Sequence, residues 1–244
     1  MLVVALVASG TLLALPAQAS NSWNGYHWAR TANPATIKVV DSNTPDWDDN
    51  LNGAIADWSS SSVLNVTKVA GDDATRTRKQ CRMVSGQIRS CNAAYGNNGW
   101  LGLASINISG SHITQGTAKM NDSYFSSPSY NETARQHVMC QEIGHDFGLH
   151  HQDESGADLN TCMDYANALD NPKPNAHDYS QLESVYAHLD SSSTINSSVE
   201  TLPDAVPSWA PATQRSRSVY VDQLADGSEL VTFVFWANPI HPWR

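Results

Sequence analysis

The sequence predicts an α+β domain in which several strands precede one long helix, with a small β-hairpin near the C-terminal end. Residues 35–41 alternate in polarity and are rich in β-branched side chains, which is typical of a strand. Residues 129–132 look like a capping box and predict the start of a helix that runs through His145. Residues 219–224 and 230–236 flank an Asp-Gly pair, the signal of a hairpin.

The remaining elements follow from local signals. Thr44 and Pro45 combine a cap with a first-turn proline and predict a helix to about Ser59. A last helix is predicted to start at Asp178 or Ser180. Further strands are predicted at residues 63–69, 81–84, 87–94, 99–108 and 112–120.

Three parts of the chain differ in composition. Residues 1–19 contain an apolar run followed by Ala17-Gln18-Ala19, which predicts a secretory signal peptide and a secreted, extracellular protein. Residues 20–192 predict the main domain. Residues 193–244 begin with Ser- and Pro-rich sequence and predict a linker and a C-terminal β-hairpin extension. Two strands alone are marginal in water, so the hairpin is expected to pack on the main domain.

The composition excludes some classes of partner. The 244 residues have a formal net charge of −10, which disfavours binding to nucleic acid because phosphates would be repelled. After the signal peptide no stretch is long and apolar enough to span a bilayer, so no membrane partner is expected. We expect a monomer whose partner is an extended peptide or protein substrate.

The stretch from Gln141 to His151 has the residue types of a metal-binding helix followed by a sharp turn. It fits the pattern E-x-x-H-x-x-G-x-x-H over Glu142, His145, Gly148 and His151. On a helix, positions 141 and 145 lie on the same face, and Glu142 is about 100° further round. Gly148 can adopt positive φ and end the helix, which would return His151 toward the same point.

This pattern resembles the metzincin zinc peptidases, whose signature continues to a turn that contains methionine. The segment around Met163 is similar to that Met-turn, so the resemblance covers roughly residues 35–190. It implies a mixed, mostly parallel sheet with an antiparallel edge strand, a long active-site helix and a zinc cofactor. It also implies that the strand before the helix, residues 113–120, is an exposed edge that binds peptide by strand addition.

The resemblance assigns roles to five residues. Zinc would be bound by His145 and His151, with Gln141 at the position where the family has its first histidine. Glu142 would act as general base on the attacking water. Tyr165 resembles a tyrosine that some members place beside the zinc, although a role in the core fits the sequence equally well.

Other ligands are less well placed in the sequence. His137 precedes Gln141 by one helical turn, about 5–6 Å along the axis, so a shared metal is not expected. His150 could replace His151 only in a differently built turn. Both His137 and His150 are expected at the surface or behind the ligands.

The four cysteines allow three disulfide connectivities in an exported protein. We favour Cys81–Cys91, which closes a short segment, and Cys140–Cys162, which would join the motif helix to the methionine turn. Thiolate coordination of a metal is the weaker alternative, because Cys140 points about 100° away from Gln141 on a helix.

Three functions follow from these observations. The first is a secreted zinc-dependent endopeptidase with Gln141 as an atypical ligand, favoured by the presence of Glu142. The second is an inactive pseudoprotease of the same fold that binds peptide or protein, favoured by Gln141 itself. The third is a binding module in which the hairpin of residues 219–236 makes the contacts.

Overall fold

A computed structural model describes residues 21–166, 168–197, 213–214 and 218–237. The helices are α1 (Asp48–Trp58), α2 (Thr75–Gln80), α3 (Asp122–Phe125), α4 (Glu132–His145) and α5 (Ala176–Val185), and Pro45–Trp47 forms a 3-10 turn before α1. The strands are β1 (His27–Trp28), β2 (Ala35–Ser42), β3 (Leu64–Ala70), β4 (Ile88–Ala93), β5 (Trp100–Ser109), β6 (His112–Asn121), β7 (Thr213–Gln214), β8 (Val219–Gln223) and β9 (Glu229–Trp236). The predicted α+β class with a mixed sheet is confirmed.

All the described strands join one sheet with the order β3-β2-β4-β6-β5-β9-β8-β7, and β1 pairs with the beginning of β6. Strands β1, β2, β3, β4 and β6 are mutually parallel, as expected for strands joined by crossovers. Strand β5 runs antiparallel to β6, and β9, β8 and β7 continue the antiparallel half. The sheet therefore changes from parallel to antiparallel at β6.

The expected peptide-binding edge at residues 113–120 is wrong. Strand β6 lies inside the sheet, hydrogen-bonded to β4 on one side and to β5 on the other. The antiparallel strand β5 is not an edge either, because β9 of the C-terminal hairpin pairs with it from Trp100 to Ile108. The hairpin thus packs on the main domain as expected, and it does so by extending the sheet.

The predicted strand at residues 81–84 does not form. Helix α2 fills the preceding segment and ends at Gln80, and the next residue, Cys81, has a left-handed φ of 46°. Cys81 is bonded to Cys91 of β4, so the disulfide and the left-handed turn hold this segment beside the sheet. The two favoured pairings, Cys81–Cys91 and Cys140–Cys162, are both present.

Two helices begin at other residues than predicted. The side chain of Asn131, rather than Ser129, caps α4 by accepting a hydrogen bond from the backbone N–H of Ala134 (3.0 Å). In the same way Asn175 caps α5, and Asp178 completes a capping box instead of starting the helix. The short side chain of Asn131 reaches the N3 amide, and that of Asn175 reaches both the N2 and the N3 amide, so each Asn takes the place of the predicted cap.

Helix α4 packs between α1 and the sheet, and large aromatic side chains hold its C-terminal half. The indole of Trp58 donates to the carbonyl oxygen of Cys140 (3.0 Å), and that of Trp28 donates to the carbonyl oxygen of Asp146 (2.8 Å). The Cys140–Cys162 disulfide joins the helix to the segment of Met163. The helix that carries the motif is therefore fixed from three directions.

Some predicted segments lie outside the described residues, namely the signal peptide at residues 1–19 and most of the predicted linker. Among the described residues, no helix combines the length and the apolar character that a bilayer crossing requires.

Gly148 makes the turn that follows α4. Its φ is +91°, its N–H donates to the carbonyl oxygen of His145 (2.9 Å), and its own carbonyl oxygen accepts from the N–H of Trp23 (3.0 Å). A Cβ at this position would overlap the carbonyl oxygen of Tyr26. The turn therefore requires glycine for its dihedral angle and also for the space it leaves.

We predict that Gly148→Ala lowers the free energy of unfolding by about 3 kcal/mol or more, because it adds a steric overlap to the cost of a left-handed residue. Gly110→Ala is the matched control, since Gly110 also has positive φ (+64°) but an added Cβ would meet nothing within 4 Å. The control should lose only about 1 kcal/mol in chemical denaturation. Equal losses in the two variants would contradict this account of the turn.

Candidate metal centre

The chain after Gly148 returns along the N-terminal segment. Leu149 forms a β-bridge with Ser22, and the N–H of His150 donates to the carbonyl oxygen of Asn21. This pairing fixes the direction of the backbone at the point where it leaves the turn. It brings His151 back to the last turn of α4, as the motif predicts.

The rings of His145 and His151 face each other. Their Nε2 atoms are 3.1 Å apart, the ring centroids are separated by 4.7 Å and the ring planes are nearly perpendicular. Both residues are almost completely buried. In a tetrahedral zinc site with Zn–N bonds of about 2.0–2.1 Å, two ligand nitrogens lie roughly 3.3 Å apart. The separation of the two Nε2 atoms is close to that value.

Hydrogen bonds on the other side of each ring determine where its proton lies. His145 Nδ1 is 2.9 Å from the carbonyl oxygen of Leu149, which can only accept, so this nitrogen carries the proton. His151 Nδ1 is 3.4 Å from Glu154 Oε1 and 3.3 Å from Ser218 Oγ. Burial alone would raise the pKa of Glu154. Hydrogen bonds from His151 and Ser218 outweigh this effect and lower the pKa to about 2. Glu154 is thus an ionised acceptor and places the His151 proton on Nδ1.

Two Nε2 lone pairs therefore point at one another inside the protein. Burial lowers the pKa of His145 well below its ordinary value, and the neighbouring His151 lowers it further. Burial also lowers the pKa of His151 against the opposing effect of Glu154. Both rings are neutral at pH 7, so each has one N–H proton. Because that proton is on Nδ1 in both rings, neither Nε2 has a proton to donate. A cation that accepts both lone pairs would relieve the repulsion between them.

Gln141 is completely buried one helical turn before His145. Its Nε2 donates to the carbonyl oxygen of Asp164 in the methionine turn (2.7 Å). Its Oε1 has no hydrogen-bond partner among the described residues. A buried amide oxygen without a partner is costly, and its chemistry suits a metal ligand.

Glu142 lies against the sheet. Its carboxylate packs beside Gly102 of β5, where an added Cβ would overlap it, and neither oxygen has a described hydrogen-bond partner. Burial, followed by the charge of the nearby Asp146, raises the pKa of Glu142 well above its ordinary value. Asp146 is equally buried and its pKa is also raised by burial. The site therefore contains a carboxyl group with a strong tendency to hold a proton.

Met163 lies against α4, and Tyr165 lies beside His151. Met163 is fully buried, and a Cβ added at Gly144 of α4 would meet its sulfur at 2.5 Å. The Tyr165 ring centroid is 4.4 Å from that of His151, but its hydroxyl donates to the carbonyl oxygen of Val234 in β9 (3.1 Å). Tyr165 thus contacts a predicted ligand through its ring, and its phenol is bonded to the hairpin.

The C-terminal hairpin covers the centre. The ring of Phe233 in β9 stacks on His145 at a centroid distance of 4.3 Å with an interplanar angle of 4°. Ser218, just before β8, contacts both Glu154 and His151 Nδ1. The predicted ligands are sealed by side chains from a part of the chain that the motif does not include.

His137 and His150 were expected at the surface or behind the ligands. His137 is fully buried and stacked on Phe235 (5.6 Å), and burial lowers its pKa to about 4. His150 is half-buried, and burial likewise lowers its pKa to about 4. With His151 and Glu154 it forms one group of residues that could hold a metal ion.

The structure thus brings together three predicted site residues, His145, His151 and Tyr165, and it bonds Gln141 to Asp164 of the methionine turn. Glu142 faces β5, with no described contact to the two imidazoles. Sequence reasoning missed Glu154, Ser218 and Phe233. Glu154 follows His151 by three residues, a spacing that could have indicated a carboxylate partner for the imidazole.

No protein-family model matches the chain, and no curated protein matches it at a significant level.

Proposed function

We propose that this protein is a zinc-dependent endopeptidase of the metzincin type, with His145, His151 and Gln141 as the metal ligands. The observation that supports it most strongly is the pair of Nε2 atoms 3.1 Å apart, each left with a lone pair by the hydrogen bond on the opposite side of its ring. A bound zinc ion would supply a Lewis acid that lowers the pKa of water and polarises a peptide carbonyl.

Gln141 is suited to the third ligand position for a physical reason. Its amide nitrogen is held by the carbonyl oxygen of Asp164, so the orientation of the amide is fixed and Oε1 is the atom left over. An amide oxygen is neutral and harder than imidazole, and zinc binds it more weakly. The centre should therefore hold zinc with lower affinity than three imidazoles would.

Glu142 is the general base in this proposal. The positive charge of a bound zinc ion would favour the ionised form of Glu142, which would take a proton from water and later give it to the leaving amine. The close approach of Gly102 leaves no side chain between Glu142 and the β5 backbone. A peptide lying along β5 would therefore pass near the carboxyl group.

We predict that Glu142→Gln lowers kcat by about 10²–10⁴-fold, the usual contribution of a general base, without changing the zinc content. Hydrolysis of casein and the zinc per chain should be measured together, with chelator treatment as a second check. Glu132→Gln, in the first turn of the same helix, is the matched control and should behave as wild type. A Glu142→Gln protein with wild-type kcat would overturn the assigned role.

A second prediction concerns the unusual ligand. Gln141→His should raise zinc affinity roughly tenfold to a hundredfold, because imidazole replaces a weak amide ligand and its Nδ1–H can donate to Asp164. Titration against a zinc-binding indicator measures the change. Gln136→His, on the same helix but facing Gly53 of α1, should leave affinity unaltered. Unchanged affinity in Gln141→His would show that position 141 is not a ligand.

An inactive protein of the same fold is the second candidate function, and the covered centre favours it. If wild-type protein binds zinc but hydrolyses nothing, and Gln141→His hydrolyses casein, the wild type is a pseudoprotease. If neither protein hydrolyses peptides, the peptidase proposal fails.

Substrate access requires the hairpin to move. An extended peptide binds a sheet by pairing with an unpaired strand, and β9 now occupies the free side of β5. Phe233 also fills the space over His145. Peptide hydrolysis at this centre therefore requires separation of β9 from β5, and the closed state described here is a latent one.

We predict that a disulfide between β5 and β9 blocks hydrolysis. Ser105 and Thr232 are register partners whose hydroxyl groups are 3.0 Å apart. Because Thr232 is next to Phe233 in a strand, it faces the side of the sheet away from the centre. The Ser105→Cys/Thr232→Cys protein should be inactive when oxidised and active after mild reduction. Chelator should also remove zinc more slowly from the oxidised form.

Wild type and the single variant Ser105→Cys, given the same reductant, are the controls. Equal activity of the oxidised and reduced double variant would show that the hairpin need not leave. If no form hydrolyses peptides but zinc removal is still slowed by oxidation, the peptidase proposal fails and the gating by the hairpin stands.

We also propose that the protein acts outside the cell. The apolar segment of residues 1–19 supports export, and both disulfides, Cys81–Cys91 and Cys140–Cys162, are stable in an oxidising compartment.

A further inference from the structure

A second cluster of histidines lies apart from the motif. Three histidines surround one carboxylate oxygen of Asp190, which follows α5. They are His27 in β1, His112 at the start of β6 and His188 after α5. The Nε2 atoms of His27, His112 and His188 are 3.4, 3.2 and 3.7 Å from Asp190 Oδ1. The Nε2 atoms of His27 and His188 are 3.1 Å apart. Four potential ligand atoms thus converge from three distant parts of the sequence.

Hydrogen bonds behind these atoms orient them. His27 Nδ1 is 2.8 Å from the carbonyl oxygen of Gly25, so Nδ1 carries the proton and Nε2 presents a lone pair to the cluster. Asp190 Oδ2 accepts from the backbone N–H (3.0 Å) and from Nη1 (3.2 Å) of Arg30. The carboxylate is thereby fixed with Oδ1 directed at the histidines. Hydrogen bonds of this kind, which orient the ligand residues from the side away from the metal, are typical of metal sites in proteins.

We propose that this cluster is a structural zinc site, in which His27, His112, His188 and Asp190 supply three imidazole nitrogens and one carboxylate oxygen. Four of the six separations among these atoms are 3.1–3.7 Å, close to the roughly 3.3 Å between ligand atoms in a tetrahedral zinc site. The ligand atoms of His27, His112 and Asp190 all lie within 4.8 Å of one another. Four protein ligands leave no open position for water, which is typical of structural zinc sites. The inference does not depend on the proposed peptidase function.

The position of the cluster gives the metal a clear role. Strand β1 has only two residues, and His27 is the register partner of His112 in β6. A zinc ion would join this short strand to the sheet and to the chain that leaves α5. The same N-terminal segment binds the turn at Gly148 through Trp23. Zinc at this site would therefore also stabilise the turn that positions His151.

An alternative arrangement needs no metal. Protonated histidines could pair with Asp190 as ions, and His188 could donate to His27 as a neutral ring. The two arrangements differ in metal content, and they also differ in the response of thermal stability to zinc.

The test compares wild type with His112→Ala/His188→Ala, each stripped with chelator, dialysed and given Zn²⁺ alone. These two side chains are partly exposed, 33% and 55%, so the variant should fold. It should bind about one zinc ion fewer per chain than wild type, with a loss of about a hundredfold or more in affinity at this site. Zinc should raise Tm less in the variant than in wild type.

His177→Ala is the matched control, since His177 on α5 belongs to neither cluster, and it should retain the zinc content of wild type. His145→Ala/His151→Ala separates the two centres, and it should keep the zinc that His112→Ala/His188→Ala loses. Equal zinc content in wild type and His112→Ala/His188→Ala would overturn the proposal. A wild type that binds no zinc would also overturn it and would support the ion-paired arrangement.

Discussion

The return of the chain after Gly148 is the constraint on which the rest of the candidate centre depends. A helix can present Gln141, Glu142 and His145 by its own periodicity, but His151 reaches His145 only if the backbone reverses. The reversal needs a positive φ at Gly148 and an N-terminal segment that satisfies the backbone on its outer side. The first residues of the main domain are thus as necessary to the histidine pair as the motif itself.

The buried polar groups explain why this region is held so firmly. Gln141 Oε1 and both oxygens of Glu142 lie in the core without described hydrogen-bond partners. Each such group costs about 1–3 kcal/mol, so the fold must recover that free energy elsewhere. The Cys140–Cys162 disulfide and the indole bond from Trp58 to α4 contribute at the right place, because they fix the helix that carries these groups. Partnerless polar atoms in a well-packed core are expected at sites that bind something.

Much of the fold could be predicted because local sequence determines it. An alternating β-branched run predicted β2, and other strand signals predicted β3, β4, β5 and β6. The spacing of the motif predicted that His151 returns to His145. The helix caps were missed at Asn131 and Asn175, since several nearby side chains can cap and only packing selects one. The strand order could not be predicted from the sequence, because pairing between β5 and β9 joins residues far apart in the chain. The contact of Phe233 with His145 depends on that pairing, so it could not be predicted either.

The pairing of β9 with β5 links the stability of the fold to access to the histidine pair, because the strand that covers the pair is also part of the sheet. Strand β9 is buried along nearly its whole length, and the aromatic face that covers the centre is part of the hydrophobic core. Exposing the histidine pair therefore means exposing Phe233 and Phe235, and each would return on the order of 1.5–3 kcal/mol of burial to water. A peptide that replaces β9 recovers the backbone hydrogen bonds but must supply comparable apolar side chains. On the proposal that a peptide replaces β9, the expected ligand is an extended segment with large apolar residues at alternate positions, the pattern that β9 itself presents.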